Sequence, residues 1–332
     1  MKYKPLTILM GGSPCTHWSI AQSKNREVKA EGLGWELFKN FVIAKERYKP
    51  DLFLYENNWF ASKEIKEQIQ RELGCVLMRI NSNLVSAQNR DRFYVFNWDV
   101  ELPEDRNLVL RDIAAPEASK QNYCFTFRGQ QIYGNLARKK YNLSKKKLYQ
   151  KSNCLTTNCG GATSSGNTTI LYDTGDVYLL TPTECERLQT MPDDYTKFSA
   201  VKATDKNMKA FKNKLKNGKA WIKKETSQIV YETSDTQRYK GLGNGWTKEI
   251  ILHIMEKPLR DIDRTSPIKL ISLYDGIGTA YQVLKDLGFR NVNCHAFEID
   301  KHAMAIAMYN HPDTVQHGDA FQVRDTDFVL GD

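Results

Sequence analysis

Between Ile268 and Asp319 the sequence switches twice from a short apolar run to a helical period, and no other stretch constrains the fold as tightly. Residues 268 to 274 have the composition of a buried strand. The glycine turn Asp275-Gly276-Ile277-Gly278-Thr279 follows, and a helix runs from Thr279 to Leu287, where Gly288 stops it. A second strand over 292 to 297 ends at Glu298, Asp300 caps a helix reaching about Tyr309, and a third short strand over 315 to 319 ends on an acid. Strands alternating with helices over such short connections dictate a parallel sheet with helices packed on it, one half of a nucleotide-binding fold.

The glycine turn lets a ligand approach the backbone, and an acid at the end of the next strand accepts hydrogen bonds from ribose hydroxyls. Glu298 lies twenty-two residues beyond Gly276, and Asp319 closes the third strand. The turn is shorter than a dinucleotide fingerprint and lacks its third glycine. A cofactor with one nucleoside and no pyrophosphate is therefore favoured, and S-adenosyl-L-methionine fits.

At the other end of the chain, the apolar residues Leu6, Ile8, Leu9 and Met10 deliver the tight loop Gly11-Gly12-Ser13-Pro14-Cys15. Cys15 reads as a placed nucleophile or as a small buried hydrophobe. A helix is predicted from Leu33 to about Tyr48, a buried strand over 51 to 55 leading to Glu56-Asn57-Asn58, a helix over 62 to 73, and strands over 75 to 80 and 93 to 96. The turn between those last strands carries Gln88-Asn89-Arg90-Asp91-Arg92, and extended backbone puts Arg90 and Arg92 on one side. From about 99 to 176 the rhythm stops, and 158 to 167 can only be a loop. Thr181-Pro182-Thr183-Glu184 is a capping box that starts a helix running to about Gln189. Residues 237 to 246 read as a glycine-rich turn, feeding a helix over 247 to 255 and a polar linker over 257 to 267.

The net charge of +9 becomes informative once it is located. Residues 120 to 151 hold nine Lys or Arg and no acid, and 196 to 236 hold ten Lys against four acids, so the rest of the chain is net negative. In the first segment Arg128, Arg138, Lys139, Lys140 and the run Lys145, Lys146 and Lys147 alternate with tyrosines and phenylalanines, a mixture suited to phosphate contact and base stacking. Hydrophobic residues at 41% of 332 suffice for a large α/β domain with an attached lobe. Seven cysteines without framework spacing favour free thiols in a reducing compartment. No apolar stretch reaches the length of a membrane span, and no signal-peptide pattern is present, so a cytoplasmic location in a bacterial or phage-infected cell is expected. Cys154 and Cys159 lack the partners a zinc site needs, and no metal is expected.

Taken together, the blocks at 11 to 15, 56 to 57, 88 to 92, 181 to 193, 241 to 244 and 274 to 278, with the acids Glu298 and Asp319, resemble those of the DNA (cytosine-5) methyltransferases. The order is unusual, because the cysteine block comes first and the cofactor half last. This resembles a circular permutation, which termini lying close in space make tolerable. The resemblance implies a Rossmann-like, S-adenosylmethionine-dependent α/β sheet, circularly permuted, with a smaller irregular target-recognition lobe. It divides the chain into a catalytic part (1 to 97), a target-recognition region (98 to 180), a linking helix (181 to 195), a basic insertion in contact with nucleic acid (196 to 236) and a cofactor-binding part (237 to 332). The strand of Leu6 to Met10 should lie within the sheet and residues 328 to 330 outside it.

The resemblance also assigns roles. Cys15 would add to carbon 6 of cytosine, Glu56 would hold or protonate ring nitrogen 3, and Arg90 and Arg92 would contact the base carbonyl and a neighbouring phosphate. The target base would be flipped out of double-stranded DNA. Tyr274, Asp275, Gly276, Ile277, Gly278, Thr279, Glu298, Ile299, Asp319, Ala320, Pro14, Leu37 and Asn244 would bind the cofactor, and Thr156 and Thr157 would join the basic residues of the first segment on nucleic acid. Two departures are Asn58, where the family has an apolar residue, and Gly245-Trp246 after Asn244, where serine is common. An RNA cytosine-5 methyltransferase is the alternative, because Cys124-Phe125-Thr126 is similar to a tripeptide of the tRNA-modifying branch. A catalytically silent DNA-binding relative is a further alternative. A monomer is expected, and a restriction endonuclease is a compatible partner.

Overall fold

A computed structural model describes residues 4–20, 26–115, 124–127, 130–133, 145–157, 169–171 and 177–331. In chain order the first elements are β1 (Leu6–Gly11), α1 (Gly32–Tyr48), β2 (Leu52–Asn58), α2 (Lys63–Leu73), β3 (Leu77–Asn81), β4 (Asp91–Phe96) and the short helix α3 (Leu110–Ile113). Five short strands follow: β5 (Cys124–Phe127), β6 (Gln130–Tyr133), β7 (Lys145–Lys147), β8 (Thr169–Leu171) and β9 (Val177–Leu179). Next come α4 (Pro182–Leu188), β10 (Phe198–Lys202), α5 (Asp205–Lys216), β11 (Ala220–Lys223), β12 (Gln228–Glu232), α6 (Asp235–Asn244) and α7 (Lys248–Leu259). The chain closes with β13 (Ile268–Leu273), α8 (Thr279–Asp286), β14 (Val292–Phe297), α9 (Lys301–Asn310) and β15 (Val315–Gln316).

A seven-stranded sheet in the order β15-β14-β13-β1-β2-β4-β3 forms the body. All neighbours are parallel except β4, which is antiparallel to both β2 and β3. The first strand pairs with a strand from the far end of the chain, Leu6 opposite Ile268 and Gly11 opposite Leu273. Alternation then divides the side chains between two cores. Ile8, Met10, Leu54 and Leu270 face α7 and α8, whereas Leu9, Phe53, Tyr55 and Ile271 face α1 and α2. A third cluster joins α3, α4 and α6, with Leu155, Leu188, Leu242 and Ile277 at its centre.

As expected, the sheet includes Leu6 to Met10 and excludes residues 328 to 330. The tail nevertheless packs onto it, because Leu330 is buried in the α1 side of the core and Lys269 Nζ donates to the Gly331 carbonyl at 3.2 Å. The capping box at Thr181 forms as read, with Thr181 Oγ1 accepting from Glu184 N and Glu184 accepting from Thr181 N. Ser62 caps α2 through Ile65 N. Among the described residues no helix is long and apolar enough to cross a membrane.

Several expectations are corrected. Residues 235 to 244 are helical, not a glycine turn, and the two internal glycines serve close packing: a Cβ on Gly243 would lie 2.2 Å from the Thr156 carbonyl carbon, and one on Gly241 2.8 Å from Ile277. The helix predicted to end at 255 continues to Leu259 and takes in Pro258. β2 runs on through Glu56 to Asn58, so Glu56 sits inside the strand opposite Tyr94. The third strand of the C-terminal unit is only two residues long, and β3 starts at Leu77, leaving Cys75 and the exposed Val76 outside it. Residues 196 to 236, read only as a basic insertion, form a folded unit: a three-stranded antiparallel sheet, β10-β12-β11, with α5 against it.

Candidate active site

β1, β2, β13 and β14 end at one edge of the sheet, where open α/β sheets place their ligands. There the loops enclose a cavity of about 470 Å³. Pro14, Cys15, Glu56, Arg90 and Arg92 line it on one side, and Leu37, Tyr274, Gly276, Glu298, Ile299, Asp319 and Ala320 on the other. Asn244, Trp246 and Gly243 come from the end of α6 and the residues after it.

The cysteine loop is held from beneath. Gly12 passes so close to β2 that a Cβ there would lie 2.9 Å from the Glu56 carbonyl oxygen, which only glycine permits. Asn57 Nδ2 donates to the Ser13 carbonyl at 2.9 Å and to Tyr55 Oη at 3.0 Å, and Ser13 Oγ lies 2.7 Å from the same Tyr55 oxygen. These buried bonds fix Pro14 and set Cys15 half-buried at the start of a single 3-10 turn, Cys15–His17. His17 turns to Glu27, with Nδ1 at 3.4 Å from Oε1. Asn58, the departure noted in the sequence, ends β2 by accepting from Phe60 N, so its polarity terminates the strand.

Glu56 is 8% exposed and both its oxygens have donors. Arg92 Nε lies 2.9 Å from Oε1, and Trp246 Nε1 donates to Oε2 at 3.0 Å. Arg92 is itself 9% exposed. Burial opposes its charge, but Cys154, Glu56 and Cys15 outweigh burial and hold the guanidinium firmly protonated.

Arg90 is used differently. Nη1 donates to the Leu155 carbonyl at 3.1 Å and to Cys154 Sγ at 3.3 Å, while Nη2 donates to the carbonyls of Gly243 and Gly245 at 3.2 and 2.8 Å. At 3% exposed, it ties the 154–155 segment to the end of α6. Gln88 assists, accepting from Leu155 N at 2.8 Å and donating to the Leu188 carbonyl. Cys154 sits between the two guanidiniums. Burial raises its thiol pKa, yet Arg90 and Arg92 together bring it below the ordinary cysteine value.

The residues assigned to the cofactor divide into two groups. Tyr274 adopts a left-handed φ of 60°, donates from its hydroxyl to the Leu37 carbonyl at 2.7 Å and accepts from Asn40 Nδ2 at 3.0 Å, which brings Leu37 to the cavity wall. Gly276 also has a left-handed φ, and nothing lies within 4 Å of where its Cβ would be. Glu298 accepts from the backbone N–H of Gly276, Ile299 and Asp300 at 2.9, 2.9 and 2.7 Å. Burial raises its pKa and those three donors oppose the rise. Asp319 accepts from Phe321 N at 2.9 Å, which fixes Ala320 at the start of a 3-10 turn.

Asp275, Ile277, Gly278 and Thr279 do not line the cavity. Asp275 is buried with its carboxylate 2.6 Å from Ser272 Oγ, and burial pushes its pKa up to about 7. Ile277 belongs to the third core cluster, Thr279 is buried, and Gly278 makes room for α9, since a Cβ there would meet His311 and Ala307.

Of the residues assigned to nucleic acid, Thr156 and Thr157 lie against Gly243 at the rim, outside the cavity lining, with Thr156 exposed. Lys145, Lys146 and Lys147 form β7, with Lys147 exposed. Arg128, Arg138, Lys139 and Lys140 fall outside the described residues. Among the described residues no three His, Cys, Asp or Glu are grouped to hold a metal ion. Sequence reasoning missed Trp246 and Cys154 as site residues. The first was visible only as a departure from serine, and the second was weighed only as a zinc ligand.

A sequence model of the C-5 cytosine-specific DNA methylase family matches residues 2–166, a span that contains Cys15, Glu56, Arg90, Arg92 and Cys154. No curated protein sequence matches the chain. The family match and the cysteine, carboxylate and arginine it gathers at the sheet edge agree: the chain belongs to the C-5 cytosine-specific DNA methylase family.

Proposed function

We propose that the chain is a DNA (cytosine-5) methyltransferase that moves a methyl group from S-adenosyl-L-methionine to carbon 5 of a flipped-out cytosine through a covalent adduct with Cys15. The observation that carries this is one cavity lined at one end by Cys15 and Glu56 and at the other by Gly276 and Glu298. The open space over Gly276, the carboxylate of Glu298 and the apolar walls of Leu37 and Ile299 fit a nucleoside, with ribose on the acid. S-adenosylmethionine bound there supplies an electrophilic methyl group to the cysteine end of the cavity.

Carbon 5 of cytosine is a poor nucleophile until a group adds to carbon 6. The Cys15 thiolate forms the bond to carbon 6, and the electron pair of the 5,6 double bond becomes available at carbon 5. Glu56, fixed by Arg92 and Trp246, holds the proton at ring nitrogen 3 that offsets the developing negative charge. After methylation a base, water in this reading, takes the proton from carbon 5. The double bond re-forms and Cys15 leaves as thiolate. Arg90 acts from behind as a positioning residue, since its guanidinium already makes four hydrogen bonds to the protein.

We also read the chain order as a circular permutation. The arrangement supports it, because Leu6 pairs with Ile268 and Gly331 is hydrogen-bonded to Lys269, so the two ends meet at the start of β13.

The test is incubation with methyl-labelled S-adenosylmethionine and either duplex DNA or tRNA, repeated with Cys15→Ala. Label in DNA cytosine that disappears in the variant is expected. Label confined to RNA would replace the DNA reading with the RNA one, and no label in either would indicate a silent binder.

A further inference from the structure

α5 is an amphipathic helix whose cationic side is unpartnered. Phe211 packs on Tyr231 of β12 with ring centroids 5.0 Å apart, and Met208 and Leu215 share that side. At 3.6 residues per turn, Lys206, Lys209, Lys212 and Lys216 fall within an arc of about 120° facing away from it. All four are exposed, and none forms an ion pair among the described residues. Lys214 is different, because its Nζ lies over the rings of Phe211 and Tyr231. The four lysines thus make a stripe roughly 15 Å long, at 1.5 Å per residue.

The unit that carries the stripe is fixed to the body. Phe198 of β10 packs on Tyr309 of α9 at 5.4 Å, and Gln228 Nε2 donates to the Met308 carbonyl at 2.8 Å. α6 leaves the unit after β12 and ends at the cavity wall with Gly243 and Asn244. Arg238 locks α6 to α4 through Glu186 at 3.0 Å. The lysine-bearing unit is therefore joined directly to a helix of ten residues, roughly 15 Å, that borders the cavity from Gln237 to Asn244. A duplex with one base in the cavity extends beyond that distance, with one negative charge per about 1.7 Å of axis.

We propose that the Lys206, Lys209, Lys212 and Lys216 stripe is a second duplex-binding surface, gripping the phosphate backbone away from the target base without reading sequence. The proposal rests on the DNA reading of the cavity. Localised charge supports it: ten lysines in this segment sit on a chain that is otherwise net negative outside 120 to 151. Asp205 and Asn213 share the arc, but four of its six residues are lysines, the side chains that make phosphate contacts carrying no sequence information.

The test compares the full chain with K206Q/K209Q/K212Q/K216Q. Duplex DNA affinity is measured by fluorescence anisotropy between about 50 and 200 mM salt, with thermal melting to confirm the fold. The expected result is at least a tenfold loss of affinity at the lowest salt. The slope of log K against log salt should also become shallower by about 3.6, at near 0.9 for each of four phosphates no longer neutralised. kcat at saturating DNA should stay unchanged, and the quadruple Lys→Arg variant should restore affinity. An unchanged slope would overturn the proposal, as would tighter binding of duplex RNA than DNA that depends on the same four lysines. Binding is read without catalysis, so a chain that binds through the stripe but transfers no methyl group would fail the cavity reading alone.

Discussion

At the scale of single residues, the site is built around where Glu56 can place its two oxygens. Arg92 takes one and Trp246 the other, and a carboxylate held by two donors keeps one rotamer. The indole is thus a positioning group that acts through Glu56. Trp246→Phe keeps the ring and removes the donor. A hydrogen bond to a charged group is worth about 1.5–3 kcal/mol, so kcat for methyl transfer should fall roughly tenfold to a hundredfold. The KM for S-adenosylmethionine should hold, because Gly276 and Glu298 are untouched. In a Glu56→Ala background the same change should have much less effect, since the partner it acts on is gone. A Trp246→Phe enzyme with wild-type kcat, or one whose defect is equally large in both backgrounds, would remove the indole from the mechanism.

At the scale of elements, α6 shows how local composition misleads and packing corrects. Three glycines in five residues read as a turn, yet the chain is helical there because α6 must approach the 154–157 segment more closely than any side chain allows. Gly243→Ala weighs two effects. Alanine gains about 1 kcal/mol of helix propensity over glycine. Against that stands a Cβ 2.2 Å from the Thr156 carbonyl carbon, an approach backbone cannot absorb without moving. Overpacking of this kind costs about 1–3 kcal/mol, and the displaced segment also loses its bonds to Arg90. Urea unfolding should show Gly243→Ala destabilised, with methyl transfer reduced further than stability alone explains; a variant as stable as wild type would mean the segment moves freely.

The same contrast explains what the sequence could reveal. The Thr181 capping box, the Ser62 cap and the strand–turn–helix at 268 were legible because each is written in consecutive residues. Block resemblance picked out Cys15, Glu56, Gly276 and Glu298, which line the cavity, but also Asp275, Ile277, Gly278 and Thr279, which do not. The β10-β12-β11 unit was not legible, since its strands are short, set in a lysine-rich segment and stabilised by packing against α9 from another part of the chain. The use of Arg90 to bind main-chain carbonyls was equally hidden, because its acceptors lie more than sixty residues away.

At the scale of the whole molecule, His311 joins three regions and sets how they respond to acid. It ends α9, its Nε2 lies 3.0 Å from the Tyr195 hydroxyl, which also donates to the Ile277 carbonyl, and its ring stacks on Tyr281 at 4.5 Å. Burial, helped by Lys285, lowers its pKa from 6.5 to about 3. In the unfolded chain the ring takes up a proton near pH 6.5, whereas in the folded chain it stays neutral far below that. The stability it contributes is therefore present above pH 6.5 and is lost as pH falls toward 3. Between about pH 7 and pH 5 this one residue should cost about 1–2 kcal/mol of unfolding free energy. Denaturant unfolding at the two pH values would measure the loss, and His311→Gln, which cannot titrate, should show a loss smaller by that amount even if it starts from lower stability. Because the ring ends α9, acid opening at His311 should loosen the end of that helix before the cysteine loop, whose buried anchors Asn57, Ser13 and Tyr55 do not titrate in this range; in the turn beside it Asp275, pushed up to about 7, takes up its proton in the folded chain over the same interval and opposes the loss. Amide exchange at about pH 5 should then accelerate first in residues 306–311. Equal acceleration in 11–15 would show that the sheet edge opens as one unit.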